Sequence, residues 1–87
     1  MVEIDIVPLA MRKAVRRGIA IEWVEETVRI PEQVVDGYGG RKVAQRKMNR
    51  EGKEYLLRVV YEETSERITV VTAYLTSQVN RYWRGAE

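Results

Sequence analysis

The chain contains no cysteine and no histidine. The first absence removes any disulfide framework and any thiolate site. The second removes imidazole general bases, Ser-His-Asp triads and His/Cys zinc centres. No stretch approaches the roughly 18 consecutive apolar residues that a membrane-crossing helix needs. The acidic start, Met1-Val2-Glu3-Ile4-Asp5, has no signal-peptide layout, so a cytoplasmic location and no membrane partner are expected. What remains is 87 residues, 45% hydrophobic and 32% charged. That is a globular composition with room for one domain, spanning residues 1–87.

The net charge of +2 conceals an uneven distribution. Residues 11–17 hold Arg12, Lys13, Arg16 and Arg17 with no acid among them. Residues 41–53 hold Arg41, Lys42, Arg46, Lys47, Arg50 and Lys53 against Glu51. Residues 22–32 hold Glu22, Glu25, Glu26 and Glu32 against Arg29. A basic side suited to a polyanion and an acidic, solvated side are expected.

The hydrophobic pattern divides the chain into helices and strands. Residues 2–7 alternate as a short strand. Pro8 suits a first helical turn, and residues 9–17 read as that helix. Met11, Ala14 and Val15 make its expected buried face, and the four basic residues a stripe on another. Gly18 stops it. A second helix is predicted over Ile21–Arg29, burying Ile21, Val24 and Val28 and ending before Pro31. Val34-Val35 then leads into the glycine-rich segment 37–40, read as a hairpin turn because no Lys-[Ser/Thr] and no helix follow it. Strands are predicted at 41–48, 54–62 and 67–76, the last dense in β-branched residues. The expected fold is α+β: an N-terminal helical hairpin on one face of an antiparallel β-sheet meander.

Strand parity sorts the side chains by face. Tyr55, Leu57, Val59 and Tyr61 belong under the helices, and Arg58 on the open face with Leu56 and Val60. If residues 49–53 close a regular hairpin, Met48 pairs with Glu54 and Ala44 with Arg58. Arg46 then joins Arg58 on the open face. In the next strand Thr72 and Tyr74, the more polar pair, are expected there in preference to Val71 and Ala73. The competing reading of Arg58 is an ion pair with Glu54, Glu62 or Glu66, and that of the 12–17 stripe is a solvated helix face. The acidic residues near Glu22 have no second cluster with which to hold a metal, so no metal and no cofactor are expected.

The order of several segments resembles a family of small prokaryotic proteins grouped with the RelE/ParE toxin superfamily. These are Arg17-Gly18-Ile19, Val24 to Val28 with Pro31, Gly40-Arg41, Leu57-Arg58-Val59-Val60-Tyr61, Val70-Val71-Thr72-Ala73-Tyr74 and Arg81-Tyr82-Trp83. Many members carry a histidine near the position of Leu9, which this chain lacks. The resemblance implies the RelE-like fold and a toxin of a toxin–antitoxin pair. The implied activity is metal-independent cleavage of messenger RNA, in which the 2′-hydroxyl attacks the adjacent phosphate and leaves a 2′,3′-cyclic phosphate. Its catalytic residues would be Arg46 and Arg58 on phosphate charge, with Lys47, Arg81 and Tyr82 positioning or transferring protons. Arg12, Lys13, Arg16, Arg17, Arg41 and Lys42 are the candidates for RNA-backbone contact. The implied partners are RNA or the ribosome and a small antitoxin, with a second copy of the chain as a further candidate. A non-catalytic module of the same fold, gyrase-inhibitor-like or protein-binding, is the alternative.

Overall fold

A computed structural model describes residues 3–85. The chain begins with strand β1 (Glu3–Ile6), helix α1 (Pro8–Arg16) and helix α2 (Ile21–Arg29). Strand β2 (Gln33–Asp36) and a short 3-10 turn (Tyr38–Gly40) follow. Strands β3 (Lys42–Arg50), β4 (Lys53–Glu63) and β5 (Arg67–Thr76) come next, then a one-turn helix α3 (Val79–Tyr82). The five strands form one mixed sheet in the order β1-β5-β4-β3-β2. β1 runs parallel to β5, and every other neighbour is antiparallel. The antiparallel meander therefore holds for β2 to β5 but not for the N-terminal strand. α3 also places a helix in the tail, so the helices are not confined to the N-terminal half.

Helix α1 has Pro8 in its first turn and is released at Gly18, whose φ of 75° is open to glycine without penalty. It packs mainly on β5, and its buried residues are Ala10 and Ala14. Met11 and Val15, expected beneath it, are exposed. Among α1's residues only small side chains fill the narrow gap to β5, so the larger apolar ones face outward. Helix α2 has the predicted bounds and buries Val24, Thr27 and Val28 against β3 and β4. The core joins Ala14, Ile19, Val24 and Val28 to Ala44, Leu57, Val59, Tyr61, Val70 and Ala73.

Two local features set the register of the sheet. Asn49 to Lys53 is not a five-residue loop. Strands β3 and β4 run up to Arg50 and Lys53, leaving a two-residue turn at Glu51-Gly52. Both residues have positive φ, 52° and 81°, which is the hairpin geometry that suits the strand twist. Asn49 Oδ1 accepts the Gly52 N–H at 3.1 Å. The true pairs are therefore Asn49 with Glu54, Ala44 with Val59 and Gln45 with Arg58. That is one residue away from the expected register, and one residue exchanges the two faces. Between β4 and β5, Val60 pairs with Thr72 but Tyr61 pairs with Val70. Val71 is the extra residue of a bulge.

Candidate functional site

The register places Gln45, Arg58 and Tyr74 side by side across β3, β4 and β5. They lie on the face opposite Leu57 and Val59, so Tyr74 and Thr72 are on the open face as expected. Arg58 Nε donates to Gln45 Oε1 at 2.6 Å, and Nη1 donates to Tyr74 Oη at 2.5 Å. The guanidinium lies 4.1 Å from the centre of the Tyr82 ring. No carboxylate comes within ion-pairing distance of Arg58 among the described residues. The ion pair with Glu54, Glu62 or Glu66 is therefore not formed.

The arginine is held by a buried polar network. Gln45 is fully buried, and its amide donates to Gln33 Oε1 at 2.8 Å and reaches the Tyr82 carbonyl at 3.4 Å. Gln33 in turn accepts the Arg84 N–H at 3.0 Å and donates to the Arg84 carbonyl at 2.7 Å. This clamp fastens the chain after α3 to β2 and carries Tyr82 over Arg58. Val79 of α3 and Leu56 of β4 are both buried, and α3 packs on β4. Leu56 is thus covered and is no part of an exposed apolar patch. Nearby, Lys47 Nζ stands 4.4 Å from the centre of the Trp83 ring. Beside Arg58, the sheet and the β2–β3 turn enclose a concavity of about 430 Å³, lined by Tyr38, Arg41, Val43, Val60 and Tyr74, with Asp36 also present.

The other predicted residues divide. Arg58, Lys47 and Tyr82 come together on the open face. Arg81 joins their margin, 5.2 Å from the Tyr82 ring and donating to Gln78 Oε1 at 3.2 Å. Arg46 does not join them. It pairs with Leu57, faces the helices, and lies 3.7 Å from Glu26 of α2. The two-arginine arrangement expected from Arg46 and Arg58 is therefore absent, because the Glu51-Gly52 turn shifts β3 by one residue. Arg41 lines the concavity but pairs with Glu62 at 2.9 Å. Lys42 is exposed at the start of β3. Arg12 and Arg16 are exposed, and Lys13 is half-buried, on the helix opposite this face. Arg17 is structural: its Nη1 donates to the Ala73 carbonyl at 2.7 Å and ties the end of α1 to β5.

Sequence reasoning missed Gln45, Gln33 and Trp83. Gln45 carried a signal, a polar residue in the run Val43-Ala44-Gln45. The one-residue register error placed it on the wrong face.

Chemically, Arg58 keeps three of its five N–H donors free of described partners. A guanidinium oriented by neutral hydrogen bonds keeps its whole charge for an incoming anion, and its planar fork suits phosphate. Tyr82 and Trp83 add aromatic surface next to it. The proton-bearing groups on this face are the Tyr74 and Tyr82 phenols and the Lys47 amine. Among the described residues, no helix is long and apolar enough to cross a membrane, and no group of three His, Cys, Asp or Glu could hold a metal ion. Comparison of the chain with family models, curated proteins and solved structures finds no match.

Proposed function

We propose that the open face of the sheet binds single-stranded RNA, with a backbone phosphate on Arg58. One observation carries this reading. Arg58 is positioned by two neutral acceptors and an aromatic ring, with no acid among the described residues near enough to neutralise it. A solvent-facing strand arginine commonly lies extended in water or pairs with a carboxylate, and among the described residues this one does neither. Aromatic side chains beside a phosphate-binding cation are the usual means of holding unpaired bases. Lys47 and Arg81 extend the positive surface at either side of Tyr82.

Cleavage of the bound RNA, in the manner of RelE-like toxins, is the second reading. The Tyr74 hydroxyl favours it, because it bonds directly to Arg58 and puts a proton-bearing group where the phosphate would sit. Arg46 has no part in this version, so phosphate charge would fall on Arg58 alone, with Lys47 and Arg81 nearby. A toxin–antitoxin setting belongs to the same reading.

The test uses end-labelled single-stranded RNA in a metal-chelating buffer. Binding should be measurable, should weaken steeply with salt, and should fall sharply in Arg58→Ala. Equal binding by wild type and Arg58→Ala would refute the assignment. Fragments ending in 2′,3′-cyclic phosphate, lost in Tyr74→Phe, would establish the second reading. Binding with intact RNA would exclude it.

A further inference from the structure

The displaced Arg46 lines a cavity that the phosphate-binding face does not use. It lies on the helix side of the sheet, between α2 and the second half of β3, with a volume of about 190 Å³. Its lining includes Trp23, Glu26, Thr27, Arg46, Met48 and Asn49. That space is too small for a helix or a peptide strand and suits a single small ring system. β2 pairs with β3 only as far as Gln45, so among the described residues no strand flanks β3 where it borders the cavity.

The lining chemistry is specific. Trp23 and Met48 are half-buried and pack against the core, which gives one wall a flat aromatic and thioether character. The Thr27 hydroxyl is already donated to the Trp23 carbonyl at 2.7 Å. Lys47 also borders the cavity, but its side chain lies on the opposite face with its amine over Trp83, so the charged side chains left on this side are Glu26 and Arg46. The Glu26 carboxylate and Arg46 guanidinium stand 3.7 Å apart, too far for a hydrogen bond to each other. Arg46 is only 35% exposed and makes no hydrogen bond to a described residue. An acceptor and a donor, loosely paired with each other, thus stand at the mouth of an aromatic-walled space, and neither makes a side-chain hydrogen bond to a described residue.

We infer that this cavity binds a guanine base. The Watson–Crick edge of guanine offers N1–H and the N2 amino group as adjacent donors, with the O6 acceptor beside them. A carboxylate takes the two donors, and a guanidinium next to it gives to O6. Partners of neighbouring edge atoms must themselves lie side by side, as Glu26 and Arg46 do. Adenine presents a bare N1 acceptor where guanine presents a donor, and so sets acceptor against carboxylate. Uracil supplies the N3–H donor and the O4 acceptor, but it sets its O2 acceptor against the carboxylate where guanine has its second donor, and it lacks the larger ring for Trp23. The expected order is guanine, then uracil, then adenine. This inference is independent of RNA binding on the opposite face.

The experiment is an amide NMR titration of the full chain with GMP, AMP and IMP, which share ribose and phosphate. GMP should shift the amides of residues 26–27 and 46–49 and bind about tenfold tighter than AMP, because a site built around hydrogen bonds rejects the analogue that leaves them unmade. IMP lacks the N2 amino group and should fall between them, a comparison that needs no variant. Glu26→Gln, on the exposed surface of α2, should remove the preference for GMP while leaving the spectrum otherwise native. Equal affinity for GMP and AMP would overturn the proposal. So would shifts confined to Arg58 and its neighbours, which would report phosphate binding on the other face.

Discussion

Substituting Gln45→Glu puts the charge argument to its strictest test. The native amide oxygen accepts from Arg58 Nε at 2.6 Å inside a fully buried site. A carboxylate there leaves the arginine in place but cancels its charge. Stability is pulled both ways. The bond to Arg58 becomes charge-assisted on both sides, but the new carboxylate is desolvated at a fully buried position, so the pair itself adds little net stability. The amide proton donated to Gln33 Oε1 at 2.8 Å is lost, and two acceptor oxygens then face each other. That costs about 1–3 kcal/mol. The variant should therefore lose about 1–3 kcal/mol and still fold. RNA binding is affected too. A charged hydrogen bond is worth about 1.5–3 kcal/mol, so affinity should drop about 10- to 100-fold. The salt dependence is the sharper measure: neutralising one phosphate contact should flatten the slope of log K against log salt by about 0.7 for a single strand. Fluorescence anisotropy with labelled RNA at several salt concentrations, beside a denaturant melt, reads both quantities. A folded Gln45→Glu protein with unchanged affinity and slope would show that Arg58 does not touch phosphate.

Other outcomes follow from the fold. Glu51 has a φ of 52° in a turn that favours Asn or Gly, so Glu51→Asn should stabilise the protein by about 0.5–1 kcal/mol; an unchanged melting temperature would count against the two-residue turn. Met11→Gln and Val15→Gln should each change stability by less than about 0.5 kcal/mol, because both side chains are exposed. Ala14→Leu should cost about 1–3 kcal/mol by overpacking the contact with β5. Similar losses at all three positions in chemical denaturation would mean that α1 is rotated. Burial, and then the charge of Glu63, holds the Tyr61 phenol above its ordinary value of 10.0. The folded state therefore prefers the protonated phenol. Its contribution is complete below about pH 10 and is lost as pH rises through the folded-state value. Stability should fall across that alkaline range in the wild type and less steeply in Tyr61→Phe, as followed by denaturant unfolding.

The bounds of α2 and β5 were legible in the sequence because each has a strong local signal. α2 has apolar residues at helical spacing closed by Pro31, and β5 is rich in β-branched residues. The parity of β4 was equally clear, since the apolar set Leu57, Val59 and Tyr61 leaves Arg58 only the other face. The direction of α1 was not. Met11 and Val15 look like core residues by spacing, yet the gap above β5 admits only Ala10 and Ala14, and that gap is set by elements distant in the chain. The parallel pairing of β1 with β5 is likewise a contact between the two ends of the molecule.

Local chemistry, read residue by residue, placed α1, α2, β1 and β3 to β5 but not β2 or α3; it also determined that Arg58 leaves the packed face and that cysteine, histidine and disulfide chemistry are excluded. Tertiary structure alone decided who stands beside Arg58. A two-residue turn at Glu51-Gly52 moved β3 by a single position, replacing Arg46 with Gln45 on the open face and sending Arg46 to Glu26. Because side chains alternate with period two, no average over composition or propensity could reveal that exchange. The clamp of Gln33 on Arg84, which brings Tyr82 over the guanidinium, joins residues 51 apart in the chain and was set by the fold alone.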